Sequence, residues 1–247
     1  MSGDDHDPAR YRDRWLAKPV LRALYTDMYR RMAARLVPGP TLELGGGSGN
    51  FAAFAPDVVA TDIVPAPWLA AVCDAQQLPF ADASFANIVL FDVLHHIERP
   101  LRFLREAARV LRPGGRIVLC EPAMTPLSRP FYTHLHPEPV DMAADPLADG
   151  PPTPGRDPFD ANQAIPTLLF RRPAGRAGLA AAVPALALAE CRLLSLWAYP
   201  LSGGFRRWSL VPAALVPALL RLEGLLLPLL GPLQAFRLLA VVEKRVG

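Results

Sequence analysis

The chain has 247 residues, of which 51% are hydrophobic and 20% charged, with a formal net charge of +3. That is enough chain for a large packed domain. The small charge forms no concentrated basic stripe, which argues against nucleic acid as a partner. Cys73, Cys120 and Cys191 lie far apart and are odd in number. They suggest neither a disulfide framework nor a metal-ligand spacing, and a reducing, cytoplasmic setting is expected.

Residues 1–10 read as a disordered, polar lead without the apolar run of a secretory leader. Over 11–36, Trp15, Leu16, Val20, Leu21, Leu24, Met28 and Met32 fall near helical spacing and predict one or two helices. Pro38-Gly39-Pro40 ends them. An alternation follows. Strands are expected at Thr41–Leu44, Val58–Thr61, Leu69–Cys73, Asn87–Phe91 and Arg116–Cys120, with a helix opening at Phe51–Ala55 and an amphipathic helix at Pro100–Leu111. Strands alternating with helices indicate βαβ units, hence an α/β fold with a parallel sheet.

Residues 122–166 break the pattern with prolines, aspartates and histidines, and a loop of this length predicts a lid or a disordered segment. Leu179–Glu190 reads as a helix, with strands at Arg192–Tyr199 and Phe236–Lys244. Between those strands, residues 208–235 are strongly apolar but interrupted by Arg221 and Glu223. Neither uncharged stretch reaches the ~20 residues of a spanning helix. The segment is expected to form a helical hairpin, as a cap on the sheet, a dimer interface or an interfacial lipid contact.

The strongest local signal is Glu43-Leu44-Gly45-Gly46-Gly47-Ser48-Gly49-Asn50, a strand feeding a glycine turn. Glycines there admit positive φ and close approach of a ligand to the backbone. A dinucleotide fingerprint needs G-x-G-x-x-G. Gly45 and Gly47 supply its first two positions, but the third falls on Asn50 and the glycine arrives one residue early, at Gly49. An acidic residue just before the turn suits a ligand with an ammonium group and disfavours a pyrophosphate.

Six segments in order complete the picture: ELGGGSGNF at 43–51, Ala60-Thr61-Asp62, Cys73–Phe80 with its D-A-x-x-L-P-F pattern, Ser84–Val89, Val93–Ile97, and Leu111–Arg116 with L-R-P-G-G. From about residue 40 to 121 the chain resembles the class I S-adenosylmethionine-dependent methyltransferases, in the methyltransferase type 11 group. Ala86 departs from the pattern, which usually has aspartate there. The resemblance implies a Rossmann-like seven-stranded sheet, six strands parallel and the last reversed, with helices on both faces. It divides the chain into a tail and helical cap (1–36), a cofactor-binding core (37–121), a long loop or lid (122–175), and a completion of the sheet carrying the hairpin (176–247).

The resemblance also implies residue roles toward S-adenosylmethionine. Glu43, Gly45 and Gly47 would face its methionine part, Asp62 the ribose diol and Asp74 the adenine amine, with Gly46, Gly49, Ala75 and Phe91 also among the cofactor-binding residues. Methyl transfer from a sulfonium needs alignment and desolvation more than acid catalysis, with a base where the acceptor is a hydroxyl. Candidate bases are His95, His96 and Glu121, at strand ends facing the ligand crevice of an open sheet. Tyr11, Trp15, His134 and His136 are candidate acceptor contacts. Tyr25 could join a lid, and Glu138 and Asp141 lie near the loop histidines. No metal is expected, since His134-x-His136 is a weak spacing. The acceptor is expected to be a small molecule methylated on oxygen, of lipid or glycan-lipid character given the apolar segment. Two other readings stand beside this one: a nicotinamide-dependent oxidoreductase, and a non-catalytic membrane-associated protein using 208–235. The expected location is the cytoplasm, with peripheral contact at the inner face of the membrane.

Overall fold

The computed structural model describes residues 7–246. Seven strands form one sheet in the order β3-β2-β1-β4-β5-β7-β6. They are β1 (Thr41–Leu44), β2 (Val58–Asp62), β3 (Ala71–Val72), β4 (Phe85–Phe91), β5 (Leu111–Pro122), β6 (Leu186–Leu194) and β7 (Arg237–Lys244). The β1, β2, β3, β4 and β5 pairings are parallel, and β7 runs antiparallel to both β5 and β6. Six strands therefore share one direction and one is reversed, as expected.

The helices are α1 (Pro8–Ala17), α2 (Pro19–Ala33), α3 (Pro100–Val110), α4 (Ser128–Leu135), α5 (Ile165–Phe170), α6 (Pro173–Ala182), α7 (Ala198–Ser202) and α8 (Val216–Gln234). Alternation along the central strands splits the core in two. Ile88 and Leu90 of β4 pack with Leu101, Phe103 and Leu104 of α3. On the opposite face, Val89 and Val118 pack with Leu21, Leu24 and Met28 of α2. The sheet is thus covered on both faces.

Several expectations are corrected. Residues 1–6 lie outside the described residues, but Pro8–Arg10 of the expected lead are helical, capped by the Asp7 carboxylate accepting from the Ala9 N–H at 2.8 Å. The helix expected after the glycine turn is a single 3-10 turn, Phe51–Ala53. Leu179–Glu190 is not one helix: α6 ends at Ala182, Pro184 interrupts the chain, and β6 begins at Leu186. The strand expected at Arg192–Tyr199 is the end of β6 followed by α7. Residues 208–235 form one helix, α8, preceded by a short turn, and not a hairpin. Glu223 explains its course: the buried carboxylate accepts from the Trp197 and Ala198 N–H groups at 2.5 Å each, tying mid-α8 to the start of α7. Gly231 lets α8 approach Leu193 of β6. The helix leaves Leu222, Leu225, Leu229 and Leu233 exposed, and residues 213–234 are long and apolar enough, by length and composition, to cross a membrane.

Candidate active site

The carboxyl ends of β1, β2, β4 and β5 open into one cavity of about 500 Å³. The strand order reverses between β1 and β4, the position where open α/β sheets bind ligands. One end of the cavity is the glycine turn. Gly45 has φ +65°, and a Cβ there would lie 2.2 Å from the Val93 Cγ2. The turn is stitched to β2: the Gly46 N–H donates to the Thr61 carbonyl (2.8 Å) and the Gly47 N–H to the Asp62 carboxylate (2.8 Å). The Trp68 indole donates to the Gly47 carbonyl at 2.8 Å, and the Arg12 guanidinium of α1 lies over the Trp68 ring at 4.6 Å.

Glu43 stands at the start of this turn. It is buried, and its Oε2 has no partner among the described residues. Burial, with the Asp62 charge adding to it, pushes its carboxyl up to about 8. Asp74 starts the turn after β3, accepting from the Gln76 N–H at 2.8 Å.

The opposite end is a polar pole. His95 Nδ1 and Glu121 Oε2 lie 2.6 Å apart, while Glu121 Oε1 accepts from the Val93 and Leu94 N–H groups at 2.9 and 2.8 Å. On its other side, His95 Nε2 lies 3.3 Å from Glu138 Oε2. Burial alone would lower the His95 pKa, but Glu121 and Glu138 outweigh it and hold the ring at about 10. Burial would likewise raise Glu138, but His95, with His96 and His136, pulls it down to about 2. Burial and the His95 charge lower His96 to about 4. At neutral pH the pole is therefore an imidazolium clasped by two carboxylates, beside a neutral imidazole. His95 has no free site for a proton there, and His96 does.

The long loop brings Glu138 to this pole. The Asn162 N–H donates to the His95 carbonyl (2.8 Å), His96 Nδ1 meets the Phe159 carbonyl (3.1 Å), and the Arg156 guanidinium donates to the His96 carbonyl (3.2 Å). Beside it, Arg237 is buried 2.6 Å from Asp92, between the Phe91 and Tyr199 rings at 5.1 and 5.0 Å. Asp92 adopts φ +57° in the turn after β4.

Of the residues singled out from sequence, Glu43, Gly45, Gly46, Gly47, Asp62, Asp74, Ala75, Phe91, His95, His96, Tyr11 and His136 line the cavity. Glu121 lies fully enclosed behind His95. Gly49 packs against Trp68 behind the turn. Trp15 packs with the α2 cluster, and His134 is exposed on α4. Sequence reasoning missed Asp92, Tyr199 and Arg237, which reach the site only through the sheet order. Glu138, expected with the loop histidines either to reach the acceptor or to be solvated, instead meets His95 at the cavity wall. The mouth is drawn together by Lys18, whose ammonium lies 2.7–2.9 Å from the carbonyls of Ser202, Gly204, Arg206 and Trp208.

Residues 42–119 match the family model described as a methyltransferase domain. The chain is 47% identical over 60 residues to a demethylmenaquinone methyltransferase of Mycobacterium sp. (strain KMS), covering 24% of this chain and 26% of that protein. It is 45% identical over 53 residues to the 27-O-demethylrifamycin SV methyltransferase of Amycolatopsis mediterranei, covering 22% and 20%. It is 43% identical over 63 residues to a mouse protein named "Probable tRNA methyltransferase 9B", covering 24% and 14%. The chain thus spans about a quarter or less of the length of these relatives. A SAM-dependent methyltransferase structure from Thermotoga maritima covers 95% of this chain and 94% of its own, with TM-score 0.50 and 13% identity. The YcgJ protein of Bacillus subtilis covers 90% and 98%, with TM-score 0.50 and 17% identity. These likenesses establish the Rossmann-like methyltransferase fold. With a relative named for tRNA, the exclusion of nucleic acid drawn from net charge is not supported.

Proposed function

We propose that the chain, whose residues 42–119 match the model described as a methyltransferase domain, transfers a methyl group from S-adenosylmethionine to a hydroxyl oxygen of an apolar small molecule. The observation that carries this reading is a single cavity with an acid-led glycine turn at one end and a histidine–carboxylate pole at the other.

The residues fit the cofactor. The buried, unpartnered Oε2 of Glu43 can accept from an ammonium group. Asp62 keeps acceptor capacity on both oxygens beyond its bonds to Gly47 and Val64, which suits a diol. Asp74, with Ala75 and Phe91 beside it in the lining, suits an aminopurine. When bound, S-adenosylmethionine supplies an electrophilic methyl group on a sulfonium.

The protein's own part is alignment and exclusion of water. Trp68 and Arg12 close the glycine turn from outside. Phe131, Tyr199, Phe205 and Trp208 offer an apolar wall for the acceptor. In this reading neutral His96 accepts the proton that the hydroxyl gives up, and Glu121 and Glu138 hold His95 in place. Relatives named for demethylmenaquinone and 27-O-demethylrifamycin SV support an organic acceptor.

The exposed leucine face of α8 supports a lipid-like acceptor met at a membrane surface. Arg206, Arg207 and Trp208 are exposed close by in the chain, and Arg206 and Trp208 also line the cavity. The setting in this reading is cytoplasmic and peripheral to the membrane.

Calorimetry with S-adenosylhomocysteine tests the cofactor, with one site per chain expected. Binding of a nicotinamide dinucleotide instead would overturn the reading. Radiolabelled methyl transfer into an extracted lipid fraction, against a tRNA fraction, tests the acceptor, and label appearing only in tRNA would remove the small-molecule assignment.

A further inference from the structure

We infer that His95, His96 and Glu138 form a binding site for one first-row divalent cation on the wall of the cavity. The two ring nitrogens and the carboxylate oxygen lie within 4.8 Å of one another, and His95 Nε2 and Glu138 Oε2 are 3.3 Å apart. Donors bound at about 2.0–2.2 Å to one ion stand roughly 3–3.5 Å from each other, so that edge of the site is already at ligand spacing.

The groups behind the ligands make the stronger argument. A metal-binding histidine almost always donates its other N–H to a carboxylate or a backbone carbonyl, which fixes the tautomer that leaves the ligating nitrogen bare. Both histidines do so. His95 Nδ1 meets the Glu121 carboxylate at 2.6 Å, and Glu121 is itself held by two backbone N–H groups. His96 Nδ1 meets the Phe159 carbonyl at 3.1 Å. His96 Nε2 is thereby left bare, and His95 Nε2, which carries a proton toward Glu138 while no cation is bound, ligates once the cation displaces that proton to solvent. The two rings lie 4.2 Å apart and are tilted by 38°. Glu138 is delivered by the loop that the Asn162–His95 and Arg156–His96 bonds fasten to the same turn.

Two imidazoles and one carboxylate suit iron(II), zinc, cobalt or manganese, and leave open positions for an exogenous oxygen. His95, His96 and Glu138 all line the cavity, so those positions face the space assigned to the acceptor. A second cluster, Asp92, His95 and Glu121, shares His95. Its carboxylates are held by a buried guanidinium and by two backbone N–H groups, whereas Glu138 Oε2 meets, besides His95, only the neutral Gln163 side-chain amide among the hydrogen bonds described, so this second cluster is the poorer set. The site deepens the methyl-transfer reading by giving an acceptor hydroxyl a place to bind, where the cation lowers its pKa so that its proton passes to solvent water in place of His96. It rests on that reading for this role only, and His96 then serves as a ligand.

The test is titration of the chelator-treated full chain with Co²⁺, followed by visible absorption and by metal analysis after gel filtration. S-adenosylhomocysteine calorimetry is run on the same sample. One equivalent of Co²⁺ is expected, bound at least about tenfold more weakly by E138Q and by H96A, and equally well by H134A. Replacing His95 strands Glu121 in the core and risks the fold, so the loop variant E138Q is the decisive one. No uptake by a folded sample overturns the site, as does uptake unchanged in both E138Q and H96A. Intact uptake with no S-adenosylhomocysteine binding overturns the methyl-transfer reading and leaves the site standing.

Discussion

The Arg237 guanidinium, 1% exposed, stands 2.6 Å from the Asp92 carboxylate at the cavity floor, and the two are unequally enclosed. Asp92 lines the cavity and keeps 28% of its side chain exposed. Removing the exposed partner strands the enclosed charge, so D92N should destabilise by about 3 kcal/mol. R237M leaves a carboxylate whose Oδ1 is enclosed but whose side chain stays partly open to the cavity, and should cost less, about 1–2 kcal/mol. Asparagine tolerates the left-handed backbone of position 92, so D92N reports the charge and not the turn. Urea unfolding of both variants checks the order, and an equal cost would show that enclosure does not decide it.

Glu43 links the proposed cofactor site to stability. Its folded pKa, about 8, lies above the ordinary 4.5. The native state therefore holds a proton that the unfolded chain releases, and stability falls as pH rises from about 4.5 to 8. His95, raised from 6.5 to about 10, acts in the same direction over 6.5–10. His96, lowered from 6.5 to about 4, acts oppositely below about 6.5, so the cofactor-free, chelator-treated chain should lose Tm steadily from pH 7 to 9. E43Q should remove part of that slope and raise Tm at pH 8.5. The same variant should bind S-adenosylhomocysteine at least tenfold more weakly, about 1.4 kcal/mol.

Gly45 combines a positive φ with contact against Val93. G45A should destabilise by about 1–3 kcal/mol and abolish S-adenosylhomocysteine binding at concentrations that saturate the parent. Adding V93A relieves the clash but not the backbone strain, so calorimetry of the double variant should recover only part of the affinity.

The α8 face gives a separable expectation. L225E combined with L229E alters side chains that are 80% and 77% exposed, so the fold and S-adenosylhomocysteine affinity should hold. Co-sedimentation with anionic vesicles should fall several-fold. Undiminished sedimentation would place lipid contact elsewhere.

The half of the chain that carries the glycine turn was legible because its signals are local. Thr41–Leu44 and the glycine turn are adjacent in sequence, and the near-continuous apolar run at Asn87–Phe91 marks a strand buried on both faces. The carboxyl half was less so. The alanine- and leucine-rich stretch before Glu190 has a helical composition, but its second part is drawn into β6 by pairing with β7. Pro184 was the overlooked signal. In α8 Arg221 and Glu223 read only as interruptions of an apolar run, when Glu223 reaches out to cap α7. Glu138 and Arg237 meet His95 and Asp92 across 43 and 145 positions of chain, respectively. No spacing rule spans such separations.

β7, the latest strand in the chain, lies between β5 and β6 and not at the margin of the sheet. During synthesis, β5 and β6 therefore emerge with a gap between them that nothing made so far can fill. Each shows a bare row of peptide groups able to recruit a stranger. The nascent polypeptide stays vulnerable to clumping until residues 237–244 slot in, and Arg237 reaches Asp92 in that same late event.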